Sequence, residues 1–205
     1  MVGAGALSAH LIKAHIVVRP LLKRVLIWNR SFVNAQKVVD SLHDLCRPCD
    51  GSRIYVEAHE DLESCVRQAD IITCATFSSE PLVLGQWVKR GTHVDLVGAF
   101  KPSMRETDDD VIQHAKLFVD TRDGALKEGG DLVSPLSRGV IGVEHVLGDL
   151  YELVQGKVKG REGEGETTVF KSVGYALEDL VGAELIYEII KSTDAEVGRI
   201  KASMT

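Results

Sequence analysis

Six residues near the N-terminus, Gly3-Ala4-Gly5-Ala6-Leu7-Ser8, constrain this chain more than any other stretch. They fit the GxGxxG/A pattern, with Ser8 as the third small residue. Gly3 permits a tight turn, Gly5 lets the backbone approach a pyrophosphate, and Ser8 lets helix and sheet pack closely. The helix that follows, read from Leu7, Leu11, Ile12 and Ile16 up to Val18, turns its unsatisfied N–H groups and positive dipole end toward the phosphates. A lone motif of this kind also occurs as a plain small-residue turn. Context favours the nucleotide, because the next apolar run, Val25-Leu26-Ile27-Trp28, ends about twenty residues beyond the glycines.

Only Met1 and Val2 stand before Gly3, whereas a strand typically has about five residues. The chain therefore reads as starting inside the motif, with a sheet short of most of its first, central strand. The expectation is a loosely folded, poorly soluble chain with weak cofactor binding and no turnover.

Strand and helix then alternate. Val25–Trp28 is a short apolar run, as in a buried parallel strand. Ser31 to Leu45 reads as helix, Pro48 to Ser52 as turn, Ile54–Val56 as strand and Asp61 to Gln68 as helix. Ile71–Cys74, His93–Val97 and Leu117–Val119 are further strands, with a helix over Asp108 to His114. Beyond residue 120, Gly129-Gly130, Ser134-Pro135 and Gly139 read as breakers. Val146 to Val154 reads as helix, Lys157 to Glu166 as a mobile charged loop, and Thr167–Phe170 as strand. Ser172 to Lys191 is an amphipathic helix, followed by frayed residues from about 194. The pattern predicts an α/β protein: a Rossmann-type doubly wound parallel sheet, truncated at its first strand, with a C-terminal strand–helix extension. The expected division is 1–165 for the nucleotide domain and 166–205 for the C-terminal segment.

A net charge of -6 gives no reason to expect nucleic acid, and no apolar run approaches the roughly 20 residues of a membrane span. Four cysteines without a secretory signal suit a reducing compartment. Cys46 and Cys49 form a CxxC. It follows a helix instead of opening one, and no second ligand pair completes a zinc site, so it reads as loop. No metal is expected. At the end of the second strand, NAD-binding domains place an acid for the ribose 2′-OH. Here Asn29-Arg30-Ser31 offers an amide, a guanidinium and a hydroxyl, which suit a 2′-phosphate and hence NADPH. The competing reading makes Arg30 a solvated loop residue and Ser31 only an N-cap.

With these motifs in place, the chain resembles the ornithine cyclodeaminase/mu-crystallin family, and most of all its plant ketimine reductase members. GAGALSAHL, VLIWNRS, DIITCAT with EPLV, GTHVDLVGAF, FVDTRDGALKEGGDL and TVFKSVGYALED carry the likeness, from Gly3 to about Lys191. The resemblance implies a second, smaller substrate and dimerisation domain, drawn mostly from sequence that would precede Gly3. The C-terminal helix would return toward it, and a homodimer is implied.

Residue by residue, the resemblance implies phosphate contacts at Gly3, Ala4, Gly5, Ala6, Leu7 and Ser8, and 2′-phosphate contacts at Asn29, Arg30 and Ser31. It places Thr76, Phe77 and Ser79 beside the cofactor, Val97 and Phe100 beside the nicotinamide, and Lys171 and Ser172 in a cofactor-side FKS motif. Glu128 matches an acidic residue at the ligand site, as the one candidate catalytic group. Phe100 stands where the cyclodeaminases carry a catalytic Asp, and a phenyl ring cannot exchange a proton. The implied activity is NADPH-dependent reduction of a cyclic ketimine carboxylate such as piperideine-2-carboxylate, in the cytoplasm or a plastid. Alternatives are a non-catalytic NADPH and small-ligand binder like mu-crystallin, and an ornithine cyclodeaminase, which Phe100 disfavours.

Overall fold

The computed structural model describes residues 1–43, 45 and 53–203, so Cys46 and Cys49 lie outside the described residues. Strands β1 (Arg24–Trp28), β2 (Tyr55–His59), β3 (Ile71–Cys74), β4 (His93–Leu96), β5 (Lys116–Val119), β6 (Val146–Asp149) and β7 (Thr168–Lys171) all pair in parallel. Five of them run in the order β3-β4-β7-β5-β6, while β1 pairs with β2. Helices α1 (Ser8–Val18), α2 (Phe32–Ser41), α3 (Leu62–Gln68), α4 (Asp109–Gln113), α5 (Arg122–Glu128), α6 (Gly130–Ser137) and α7 (Leu150–Val154) form the connections, and α8 (Ala176–Ser203) closes the chain. The α/β parallel-sheet architecture is the expected one.

Val2 joins the two groups of strands. It bridges Trp28 at the end of β1 and Cys74 at the end of β3, both in parallel sense. Its amide donates to the Thr73 carbonyl at 2.8 Å, and its own carbonyl accepts from Ala75 at 2.9 Å. On the other side, Gly3 donates to Trp28 at 2.8 Å and Trp28 to Met1 at 2.9 Å. Beyond this joint the space between β1 and β3 is a cavity of about 340 Å³, lined by Ile12, Leu26, Val66, Ile72 and Thr73 among others.

Each side has its own apolar cluster. Ile12 and Ile16 of α1, Ile27 of β1, Ala35 and Val38 of α2, Leu42 and Ile54 form the smaller one. The larger gathers Val2, Val66, Ile72, Val94, Leu96, Ile112, Leu117, Val119, Leu132, Val146 and Val169. Central strands read as continuous apolar runs because both of their faces are covered, as in Leu117-Phe118-Val119.

Several boundaries differ from the sequence reading. The segment 146–154 is a strand followed by a short helix, not one helix. Val146 and Gly148 point inward, and the helically spaced Leu147, Leu150, Tyr151 and Val154 are the exposed ones. Asp149 starts α7 with a reciprocal capping box to Glu152. The breakers 129–139 contain α6 instead of irregular chain. The 157–166 loop is tied down: Arg161 donates to the Gly91 carbonyl at 2.6 Å, and Lys116 pairs with Glu162 at 3.2 Å and Glu166 at 2.9 Å. Strand β7 lies inside the sheet between β4 and β5, so the compact units are 1–173 and 174–205. The final helix starts at Ala176, four residues later than the sequence suggested, and Lys171 is the last residue of a strand. Within α8, Leu177, Leu180, Val181, Leu185 and Ile189 are exposed.

Candidate nucleotide-binding site

Because the strands are parallel, the turns after β1, β3, β4 and β7 open on one edge of the sheet, where α/β proteins bind ligands. The glycine turn leads from Val2 into α1 at this edge. Gly3 has φ 107°, and a Cβ there would lie 2.6 Å from the Ala75 carbonyl oxygen, so only glycine fits without strain. Ser8 is fully buried and its hydroxyl donates back to the Gly3 carbonyl at 3.1 Å, closing the turn on itself. Gly5 is the opposite case: a Cβ there would meet nothing within 4 Å. That open approach beside the first turn of an eleven-residue helix fits a pyrophosphate. Ala4 is half-buried, and Ala6 and Leu7 are exposed on the same turn.

At the end of β1, Asn29 donates to the Ser31 carbonyl at 3.0 Å, which shapes the turn into α2. Ser31 is the N-cap residue of α2 yet makes no side-chain capping bond. Its hydroxyl is not used in capping the helix, and both Ser31 and Arg30 are exposed.

The turns after β3 and β4 are locked together. Val97 and Gly98 both donate to the Cys74 carbonyl, at 2.9 and 3.3 Å. Phe77, almost fully exposed, meets Phe100 edge to face at 5.9 Å between centroids, and the Lys101 ammonium lies 5.7 Å from the Phe100 centroid. Ser79 is exposed on the same loop. Ala99, fully buried at φ 50°, holds a left-handed conformation that costs a non-glycine residue about 1–2 kcal/mol. Its carbonyl accepts from Gly130 at 2.8 Å.

Beneath these turns lies a buried polar cluster, of which the sequence reading singled out only Lys171. Glu106 is fully buried, and its Oε1 accepts from the Thr76 amide at 2.6 Å and the Thr76 hydroxyl at 2.8 Å. Asp131, equally buried, accepts at Oδ1 from the amides of Glu106 and Thr107, at 2.8 and 2.9 Å. Lys171 is fully buried as well, and its ammonium donates to the carbonyls of Leu96 (3.2 Å), Gly98 and Ser172 (2.9 Å). Lys171 is therefore not a solvated surface lysine. With its three protons on main-chain carbonyls, Lys171 ties the Leu96–Gly98 turn to Ser172. The Ser172 amide donates to Leu96 at 3.1 Å.

Burial governs the charges here. Desolvation, reinforced by Asp131, raises the Glu106 carboxyl to about 7. Desolvation raises Asp131 as well, and lowers Lys171 despite the carboxylates around it. Glu128 is different: it is exposed at the end of α5, and its side chain makes no hydrogen bond or ion pair with any described residue. Among the described residues no group of three His, Cys, Asp or Glu could hold a metal, and no helix is long and apolar enough to cross a membrane.

Residues 1–194 match the model of the ornithine cyclodeaminase/mu-crystallin family. The chain belongs to that family. A family member from Arabidopsis thaliana, protein SAR DEFICIENT 4, is 44% identical over 188 residues, covering 92% of this chain and 57% of that protein. The Delta(1)-pyrroline-2-carboxylate reductase of Paracoccus denitrificans is 43% identical over 190 residues, 93% of this chain and 58% of the relative. The chain thus spans little more than half the length of these relatives. Among solved structures, the Thermococcus litoralis Delta(1)-pyrroline-2-carboxylate reductase with NADH and L-proline superposes with TM-score 0.82 at 34% identity, over 91% of this chain and 56% of that one. The glycine turn Gly3–Ser8 lies within the matched residues.

Proposed function

We propose that this chain is the nucleotide-binding part of an NADPH-dependent reductase of cyclic ketimine carboxylates, with piperideine-2-carboxylate as the representative substrate and a homodimer as the working form. The observation that carries this reading is Phe100. Its ring packs on Phe77 at the turn after β4, the position where the family resemblance implies the nicotinamide and where cyclodeaminases carry an acid. A phenyl ring cannot take up or release a proton, which disfavours deamination. Reduction of a protonated imine asks less of the protein, since the bound cofactor supplies the hydride and the chain supplies position. Gly3–Ser8 would hold the pyrophosphate, while Arg30, Ser31 and Asn29 would hold the 2′-phosphate. Thr76, Phe77, Ser79, Val97 and Ser172 would form the wall beside the reactive ring. Glu128, exposed beside buried Gly129, would hydrogen-bond the iminium or orient a water.

The test is cofactor affinity of the chain and of its Arg30→Ala variant. A charge-assisted contact is worth roughly 1.5–3 kcal/mol, so the variant should lose about ten- to a hundredfold affinity for NADPH and little for NADH. Equal loss for both would remove the 2′-phosphate assignment. NAD-dependent release of ammonia from ornithine would remove the reductase assignment.

A further inference from the structure

We propose that Glu106 is a positioning residue of the nucleotide site: its buried carboxylate clamps the turn after β3, at Thr76, beneath the turn after β4, at Gly98. The inference rests in part on the cofactor reading above, but its first measurement does not.

Glu106 reaches Thr76 across thirty residues of sequence and holds both the amide and the hydroxyl on one oxygen, Oε1. Its own main chain is fixed on two sides. The Glu106 amide donates to Asp131, and the Glu106 carbonyl accepts from Leu82 and Val83, both at 2.9 Å. Gly98 closes the stack from above, because a Cβ there would overlap both Glu106 Oε1 and the Thr76 carbonyl oxygen. Lys171 pins that same glycine through its carbonyl. One carboxylate thus sets the spacing between two loops that would line the cofactor.

The clamp also carries a charge of its own. Facing Glu106 are Asp131 from α6, Lys171 from β7, the Cys74 thiol from β3 and Thr76 from the turn, with Arg105 adjacent in the chain. Two buried carboxyls stand against one buried ammonium, and Glu106 Oε2 and Asp131 Oδ2 have no hydrogen-bond partner among the described residues. An ionised carboxylate accepts two hydrogen bonds at Oε1 strongly; the protonated acid accepts them weakly. The Thr76 turn should therefore tighten as Glu106 ionises.

The first measurement is the Thr76 amide resonance of the chain followed from about pH 5 to about pH 9, in wild type and in Glu106→Gln. The wild-type resonance should titrate. The glutamine keeps an acceptor carbonyl and the side-chain volume but loses the charge, so its resonance should stay flat. The second is NADPH affinity across the same range. It should strengthen with rising pH in wild type and lose that slope in Glu106→Gln, and Glu106→Ala should weaken it roughly tenfold. A Thr76 amide that does not titrate, or titrates alike in both proteins, overturns the clamp. A titrating Thr76 with pH-independent NADPH affinity overturns the positioning role. A titrating Thr76 with no cofactor binding in any protein leaves the clamp standing and removes the cofactor reading instead.

Discussion

Beneath β1 and β2 the interior is made of hydrocarbon, contributed by α1, α2 and the strands they cover. Beneath the five-stranded run the apolar cluster is larger, and Glu106, Asp131 and Lys171 are buried beside it. Among the described residues, the two regions meet in strand pairing through Val2. The smaller half carries the glycine turn in local sequence, while the larger half builds its loops from residues that meet only after folding. Hydrocarbon interiors lose stability when volume is removed, whereas a buried charged cluster responds to pH as well.

Equivalent core deletions should separate the halves most strongly. Leu117→Ala in the larger cluster should cost about 2–5 kcal/mol of global stability and lower amide protection throughout. Ile27→Ala removes comparable volume from the smaller cluster. It should lower protection in β1 and β2 while β4, β5 and β7 stay protected. Hydrogen exchange read strand by strand decides this, and equal loss on both sides would show one cooperative unit.

A smaller effect should come from pH. The Glu106 carboxyl lies above its ordinary value, at about 7 instead of 4.5. A carboxyl raised in the folded state favours the protonated form. Its contribution is fully present below pH about 4.5 and is lost as pH rises through about 7, by at most roughly 3 kcal/mol. Urea unfolding at several pH values should show this fall, and Glu106→Gln should flatten it. Unchanged slopes would mean that Asp131 and Lys171 set the balance without Glu106.

The smallest expected difference concerns helix caps. Asp149 and Glu152 cap α7 reciprocally, with bonds of 2.9 and 3.1 Å, whereas Asp61 caps α3 through one 3.3 Å bond from Ser64. Asp149→Ala should cost about 1–2 kcal/mol and Asp61→Ala about 0.5 kcal/mol, measured as shifts in denaturation midpoint. The reverse order would show that the capping box adds nothing to the single bond.

What the sequence revealed follows from the range of the forces involved. The glycine turn, the apolar strands and α1 to α3 are local patterns, and they were legible. Helix α6 was not: Gly130 looks like a breaker, yet it opens a helix because the Met104 carbonyl approaches too closely for any side chain. Pro135 is buried in the last turns of that helix, where tertiary packing outweighs the missing amide. Strand β6 was hidden by exposed apolar residues at helical spacing. Glu106 sits in the run Arg105 to Asp110, which reads as a solvated charged face, and only the distant Thr76 and Asp131 reveal it as interior. The strand end at Trp28 and the helix start at Phe32 were visible because such a junction is itself a local signal.

Lys171 has a practical consequence for chemical labelling. Amine-reactive reagents need an accessible, deprotonated lysine, and this one combines complete burial with three main-chain acceptors. In the native protein it should stay unmodified while exposed lysines such as Lys13 and Lys127 react at once. Any acylated Lys171 recovered in a peptide digest would then record a molecule that had opened. A single mass-spectrometric site would count unfolding events under conditions where most of the population remains folded.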